Sequence, residues 1–221
     1  MKLTVFNGSP RGTGSNTKIL LEQFVRGFCE TEGNTYDLFY LNRVNEHREL
    51  AETFRQAETV LLAFPMYTDT TPAQVKHFIE CLAPLRGRPG NPPVAFIVQY
   101  GFHEGIHGKA LAAYLEKLAN RLDAPLLGIA TRGGIEGIQS MAPENTQKLF
   151  DLFYELGKGF GNSGRFDPDL TALIARKDRF PQTENMAEKM KQILDVTADY
   201  WDTMLKSNGA YEKRFDKPSL S

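Results

Sequence analysis

The feature that most constrains this chain is its start. A strand-like run, Met1-Lys2-Leu3-Thr4-Val5-Phe6, passes directly into Asn7-Gly8-Ser9-Pro10-Arg11-Gly12-Thr13-Gly14-Ser15-Asn16-Thr17, and a helical pattern follows with Ile19, Leu20, Phe24, Val25 and Phe28 on one face. Periodicity and capping residues predict a buried strand, a loop of small residues and a helix N-terminus. Such a loop suits an anion: glycines admit close backbone approach, and free N–H groups with the positive end of a helix dipole face the ligand. Ser9, Ser15, Asn16 and Thr17 add side-chain donors, and Arg11 adds a permanent charge.

Three phosphate-loop readings compete. An ATP-type loop needs G-x-x-x-x-G-K-[ST], but counting from Gly8 the second glycine falls at Thr13 and no Lys-Ser/Thr pair follows. A dinucleotide fingerprint needs G-x-G-x-x-G; Gly12 and Gly14 supply two glycines, Thr17 stands at the third position, and Tyr40-Leu41-Asn42 offers no ribose-binding acid. A hydroxyl-rich cradle for a terminal phosphomonoester, as on FMN, matches best. The plain alternative is an ordinary strand-to-helix turn, since capping needs only Asn16 or Thr17.

Composition narrows the class. The chain has 221 residues and a net charge of −1, which argues against a nucleic-acid partner and against the strong acidity of small electron carriers. Cys29 and Cys81 show no metal-ligand spacing, and the expectation is buried free thiols in a reducing compartment. Neither a signal-peptide pattern nor an apolar run long enough to span a membrane is present, and the expected location is the cytoplasm.

Further strands are predicted at Thr35 to Leu41, Thr59 to Phe64, Val94 to Val98 and Leu126 to Thr131, each separated from the next by a helical or part-helical segment. The third and fourth are continuous apolar runs, as in parallel strands covered on both faces. The fold expectation is therefore α/β: a flavodoxin-like, doubly wound, five-stranded parallel sheet in the order 2-1-3-4-5. Ligands bind such sheets beyond the carboxyl ends of the strands, at the switch point. There the chain places three loops rich in Gly, Pro, hydroxyl and aromatic residues: Ser9 to Thr17, Pro65 to Asp69 and Gln99 to His103. Residues 1–142 are expected to form this domain. Residues 143–221 are expected to form a C-terminal helical extension, packed on the domain or on a partner subunit. Within it, Leu149, Phe153, Leu156 and Phe160 form a stripe, Gly157 to Gly164 is expected to break the helix, and a long helix is expected over Thr183 to Lys206 with Met186, Met190, Ile193, Leu194 and Trp201 on one face.

Two motifs carry a family resemblance: Gly8-Ser9-Pro10-Arg11 with Ser15-Asn16-Thr17, and Pro65-Met66-Tyr67 with Thr71-Pro72-Ala73-Gln74-Val75-Lys76-His77-Phe78-Ile79-Glu80. They resemble the pattern G-S-P-R…S/N-T and then P-x-Y…x-P-A-x-x-K-x-F-I-[DE] of the NAD(P)H-dependent FMN reductase group of flavodoxin-like proteins. The resemblance implies FMN, NAD(P)H as co-substrate, a homodimer or homotetramer, and two-electron transfer to flavin, quinone or a similar small electrophilic acceptor. The segment from Asn42 to Glu58 lacks the cysteine cluster of the iron–sulfur branch, so neither a cluster nor a metal is expected. A non-enzymatic flavodoxin-like carrier, reduced by a partner protein, is the alternative function.

The expected FMN-binding residues follow from these loops. Ser9, Arg11, Ser15, Asn16 and Thr17 are assigned to the phosphate, Pro65, Met66, Tyr67 and Thr68 to the isoalloxazine border, and Tyr100, Gly101 and Phe102 to the opposite side of the ring. No catalytic acid or base is assigned, because the cofactor carries the electron chemistry.

Overall fold

The computed structural model describes residues 1–176, 178–179 and 186–216. Five strands, β1 (Lys2–Asn7), β2 (Thr35–Tyr40), β3 (Thr59–Pro65), β4 (Val94–Gln99) and β5 (Leu126–Arg132), form one sheet in the order β2-β1-β3-β4-β5 with every pairing parallel. Residue alternation along the strands directs side chains into two cores. On one face Phe6, Leu62, Phe64 and Phe96 meet α2 (His47–Gln56), α3 (Ala73–Cys81) and α4 (His107–Leu122), with Phe6 and Phe78 rings 5.0 Å apart. On the other face Leu3, Val5, Leu61 and Ile97 meet α1 (Asn16–Phe28), α5 (Pro143–Ser163) and α6 (Pro168–Ile174). The central strand β3 is buried along its whole length, which explains its unbroken apolar run.

The glycine-rich stretch does not break the helix where the sequence suggested. α5 runs unbroken to Ser163 and ends at Gly164 in the left-handed conformation. Gly157 lies against α1 at backbone distance: a Cβ there would stand 1.9 Å from the Phe24 carbonyl oxygen, and a Cβ on Gly27 would stand 2.0 Å from the Tyr154 carbonyl oxygen. The stripe of Phe153, Leu156 and Phe160 then interlocks with Phe24 and Phe28.

The contacts divide the chain into one compact unit, Met1–Arg179, and a second, Phe180–Ser221. Residues 143–179 of the expected extension thus belong to the globular unit, where α5 closes the second core. In the second unit, α7 (Met186–Ser207) is followed by a turn in which the Tyr211 ring is flanked by Lys206 and Arg214. The expected start of the last helix at Thr183, and the side chains of Met186, Met190, Ile193 and Leu194, lie outside the described residues. Trp201 is exposed. Both cysteines are free, but neither is buried; Cys29 is exposed because α1 ends at Phe28 and leaves it as the cap residue.

A histidine pair, unannounced by the sequence, joins α2 to α3. His47 is fully buried, with Nε2 at 2.7 Å from the Leu41 carbonyl oxygen and Nδ1 at 2.7 Å from His77 Nδ1. A carbonyl only accepts, so His47 Nε2 carries the proton; in the neutral ring Nδ1 accepts from His77. Burial pushes the His47 imidazole below its usual range, the Leu41 carbonyl opposes that, and His77 lowers it further.

Two outcomes are expected. Gly157→Ala forces α1 and α5 apart and costs about 1–3 kcal/mol despite better helix propensity, lowering Tm by about 3–10 °C in thermal unfolding. His47 has a folded pKa below its unfolded value of about 6.5, so its contribution is complete above that pH and is lost as pH falls through it towards the folded value. Urea midpoints should therefore drop between about pH 7.5 and about pH 5.5, and His47→Gln should flatten that dependence.

Candidate functional site

Parallel pairing aligns the carboxyl ends of β1, β3, β4 and β5 on one edge, with Asn7 beside Ala63, Pro65 beside Gln99 and Gln99 beside Arg132. The loop after β1 is built around Asn7, which is fully buried. Its Oδ1 accepts from Ser9 N–H at 2.9 Å, and its Nδ2 reaches Ser15 Oγ at 3.3 Å and the Gly12 carbonyl at 3.5 Å. Gly8 is required by close packing, since a Cβ there would stand 2.3 Å from Val75 Cγ2. Gly12 sits at φ +54° against Asn42, a conformation and a space that only glycine accepts without strain.

Ser15 is the N-cap of α1: its Oγ accepts from Lys18 N–H at 3.1 Å and donates to the Gly12 carbonyl at 2.7 Å. Asn16 donates from Nδ2 to the Ile135 carbonyl at 3.0 Å, and its Oδ1 accepts from Gln139 at 2.8 Å. These two side chains are thus occupied in building the loop and tying it to the segment after β5. The donors left are different. The backbone N–H groups of Asn16 and Thr17 lie at the first two helical positions, which have no intrahelical acceptor, and no described residue takes them. The Ser9 hydroxyl accepts from Arg11 N–H and keeps its own proton to donate. Thr17 Oγ1 accepts from Gln99 Nε2 at 3.3 Å, which leaves its proton likewise. Arg11 is exposed, 3.9 Å from Glu136.

Beside this loop, the segment after β3 folds into a tight turn. Tyr67 and Thr70 exchange backbone hydrogen bonds of 3.0 and 3.1 Å, while Thr68 at φ 48° and Asp69 at φ 61° form its two central positions. Two successive left-handed residues suit Asn-Gly, and a β-branched threonine there is strained by about 1–3 kcal/mol. The turn presents an exposed Tyr67 ring. Met66 does not face the site as expected: its side chain is packed in the first core and its N–H donates to Gln99 at 2.8 Å. Pro65 is likewise buried, as the last residue of β3.

The loop after β4 corrects a second expectation. Tyr100 is buried, packed against Gly108, Gly133 and Thr131, so its ring supports the loop from beneath; burial pushes its phenol above the usual range. Gly101 and Phe102 are exposed. The Phe102 ring stacks on His107 at 4.5 Å, and His107 lies 3.8 Å from Asp69 and 3.9 Å from Glu104, bridging the two loops. Ser9, Arg11, Thr17, Tyr67, Thr68, Gly101 and Phe102 thus lie at the same edge, Ser9 and Thr17 buried in the loop and the other five exposed, whereas Ser15, Asn16, Met66 and Tyr100 build the walls.

The sequence reading missed Asn7, Gln139 and Glu136. Asn7 had a signal, being the polar residue that ends β1, but Gln139 and Glu136 approach from more than a hundred residues away. Arg132, at the end of β5, donates from Nη1 to the Ile174 carbonyl at 2.8 Å, capping the C-terminus of α6. Burial, reinforced by the charge of Arg176, lowers its pKa to about 10. Among the described residues no group of histidines, cysteines or carboxylates is placed to hold a metal ion.

The donor set fits a phosphomonoester: two backbone N–H groups at a helix N-terminus, two hydroxyls and a guanidinium, with open space around Gly14, where a Cβ would touch nothing within 4 Å. Beyond it, the rim of Tyr67, Gly101 and Phe102 offers flat, part-apolar surface for a ring system. Fold and donor set together define a flavodoxin-like flavoprotein of the FMN-binding kind. The comparison with known families agrees: the family model described as NADPH-dependent FMN reductase matches residues 1–132, more than half of the 221-residue chain, and the protein belongs to that family, whose cofactor is FMN and whose reductant is a nicotinamide.

Solved structures share the fold at low identity. An azoreductase, AzrA, is 14% identical with a TM-score of 0.57, over 72% of this chain and 100% of that one. An FMN-dependent NADH-azoreductase from Bacillus anthracis, solved in complex with FMN, is 14% identical with a TM-score of 0.56, over 73% and 100% of the two chains. An NAD(P)H:quinone oxidoreductase from Methanothermobacter marburgensis is 18% identical with a TM-score of 0.54, over 75% and 99%. Curated protein sequences give no significant match.

The division between wall and donor groups is testable. Ser15→Ala removes the helix cap and is expected to lower stability by about 1 kcal/mol, seen as a lower urea midpoint at an unchanged slope.

Proposed function

We propose that this protein is an FMN-dependent NAD(P)H oxidoreductase that passes two electrons to flavin, quinone or a similar small electrophilic acceptor. The observation that carries the reading is the convergence, on one sheet edge, of the open first turn of α1 with the two loops that end in exposed Tyr67 and Phe102. The N–H groups of Asn16 and Thr17, the hydroxyls of Ser9 and Thr17, and Arg11 hold the phosphate. Tyr67, Thr68, Gly101 and Phe102 border the ring, and the strained turn at Thr68 and Asp69 directs its N–H groups towards the ring's polar edge. Bound FMN supplies the two-electron chemistry. The protein orients it, shields one face with the β-sheet edge, and leaves the other face open to the nicotinamide and then to the acceptor. His107, held between Asp69 and Glu104, keeps the two ring-side loops in register.

The exposed apolar rim of Tyr67, Phe102 and Ile106 supports a homodimer or homotetramer in which a second subunit covers part of the site. No described helix is long and apolar enough to cross a membrane, and a cytoplasmic location is part of the proposal. A non-enzymatic electron carrier is the second reading; the net charge of −1 disfavours it, because carriers dock through strongly charged faces.

The purified protein should be yellow, with flavin absorbance near ~450 nm that NAD(P)H bleaches without oxygen. A colourless protein that takes up no FMN on reconstitution would sink the proposal, and a yellow one that only a partner reductase bleaches would favour the carrier. The double variant Ser9→Ala/Thr17→Val should keep its circular dichroism spectrum and release FMN, with Kd raised about 100-fold.

A further inference from the structure

We propose that Arg132, Arg176 and His103 form a second phosphate-monoester subsite, which receives the 2′-phosphate of NADPH; the inference rests on the reductase reading above. The three residues meet around Gly134, at the turn that follows β5. A Cβ on Gly134 would stand 3.1 Å from His103 Cδ2 and 3.4 Å from Arg176 Nη2, so both side chains lie directly over this backbone. Arg132 reaches the same region from β5, with Nη1 fixed on the Ile174 carbonyl at 2.8 Å, while its Nε is buried without any hydrogen-bond partner.

The neighbouring charges are unbalanced. Asp178 is ion-paired with Lys109, Glu136 lies towards Arg11, and Glu104 lies close to His103 and His107. Among the described residues no carboxylate forms an ion pair with Arg132 or Arg176. The depressed pKa of Arg132 reflects burial first and the charge of Arg176 second. A bound anion would offset the repulsion that Arg176 exerts on Arg132.

The chemistry selects the anion. A carboxylate is satisfied by one guanidinium fork, whereas a phosphomonoester near neutral pH carries close to two charges and three acceptor oxygens. Two arginines and an imidazole match that demand. Placement selects the source. The FMN phosphate is accounted for at α1, on the other side of the ring-facing loops. The new subsite adjoins them: Gly134 N–H donates to the Phe102 carbonyl at 2.8 Å, and His103 directly follows Phe102. A second nucleotide lying on the open ring face can reach it, and NADPH differs from NADH only by that phosphate.

The test uses the FMN-loaded protein and a ligand that needs no turnover. The wild type should show kcat/KM for NADPH at least about tenfold above NADH. Arg176→Gln should lower the NADPH value about tenfold, mainly through KM, and leave NADH unchanged; Arg176→Glu should lower it further. Arg176 is exposed, so neither change disturbs the core. By calorimetry, 2′,5′-ADP should bind the wild type about tenfold more tightly than 5′-AMP or inorganic phosphate, and Arg176→Gln should abolish that difference. Equal binding of 2′,5′-ADP and 5′-AMP, or an unchanged NADPH to NADH ratio in both variants, overturns the subsite. Binding of 2′,5′-ADP no tighter than inorganic phosphate overturns its assignment to NADPH. If neither nicotinamide bleaches the flavin, the reductase reading fails, and the calorimetry still decides the subsite.

Discussion

The contact on which the rest of the molecule depends is the backbone-to-backbone approach of α1 and α5 through Gly27 and Gly157. α1 does two jobs at once. Its apolar face, Leu20, Phe24 and Phe28, is a major part of one core, and its first turn presents open N–H groups beside buried hydroxyls at this edge. An N-terminus can hold an anion only if the helix is rigid and correctly aimed, because the interaction falls off within a turn. The glycines let α5 lock α1 along its length, and Phe153 and Phe160 fill the space that remains. A helix that reads as an appendage in the sequence is therefore a condition for the site.

The site separates building groups from facing groups. Asn7, Ser15, Asn16 and Gln99 are polar and buried, yet each is hydrogen-bonded to other protein groups, with the exposed Gln139 reaching in to Asn16. Buried polar side chains are affordable only in such closed networks. Left for a ligand are the Asn16 and Thr17 N–H groups, which no described residue takes, the donor protons of the buried Ser9 and Thr17 hydroxyls, and the exposed rings. The strain at Thr68 and Asp69 belongs with the same set, since two left-handed non-glycine residues persist only where surrounding structure over-determines them.

Much of this was legible from residue order alone. The alternating apolar runs gave away five parallel strands, and the Gly-Ser-Pro-Arg and Ser-Asn-Thr segments marked the donor-rich loop after β1. The directions of individual side chains were not legible. Ser15 and Thr17 are equally good donors on paper, but only one of them is a helix cap. Tyr67 and Tyr100 both follow buried strands, yet one ring is exposed and the other is buried, because Gly108 and Gly133 open a space for it. Gly157 to Gly164 looked like a helix breaker, since glycine propensity is poor, and tertiary packing against α1 overrode that preference.

The sequence by itself determined the fold class and the sheet edge on which the donor-rich loops lie, because these follow from hydrophobic period and local loop chemistry, and its family motifs carried the class of cofactor. Only the tertiary structure decided which polar groups remain available to a ligand, how α5 completes the domain, and that Arg132, Arg176 and His103 converge at the end of β5. Those outcomes depend on contacts between residues tens to more than a hundred positions apart, and no local pattern encodes which of several equivalent donors is satisfied first.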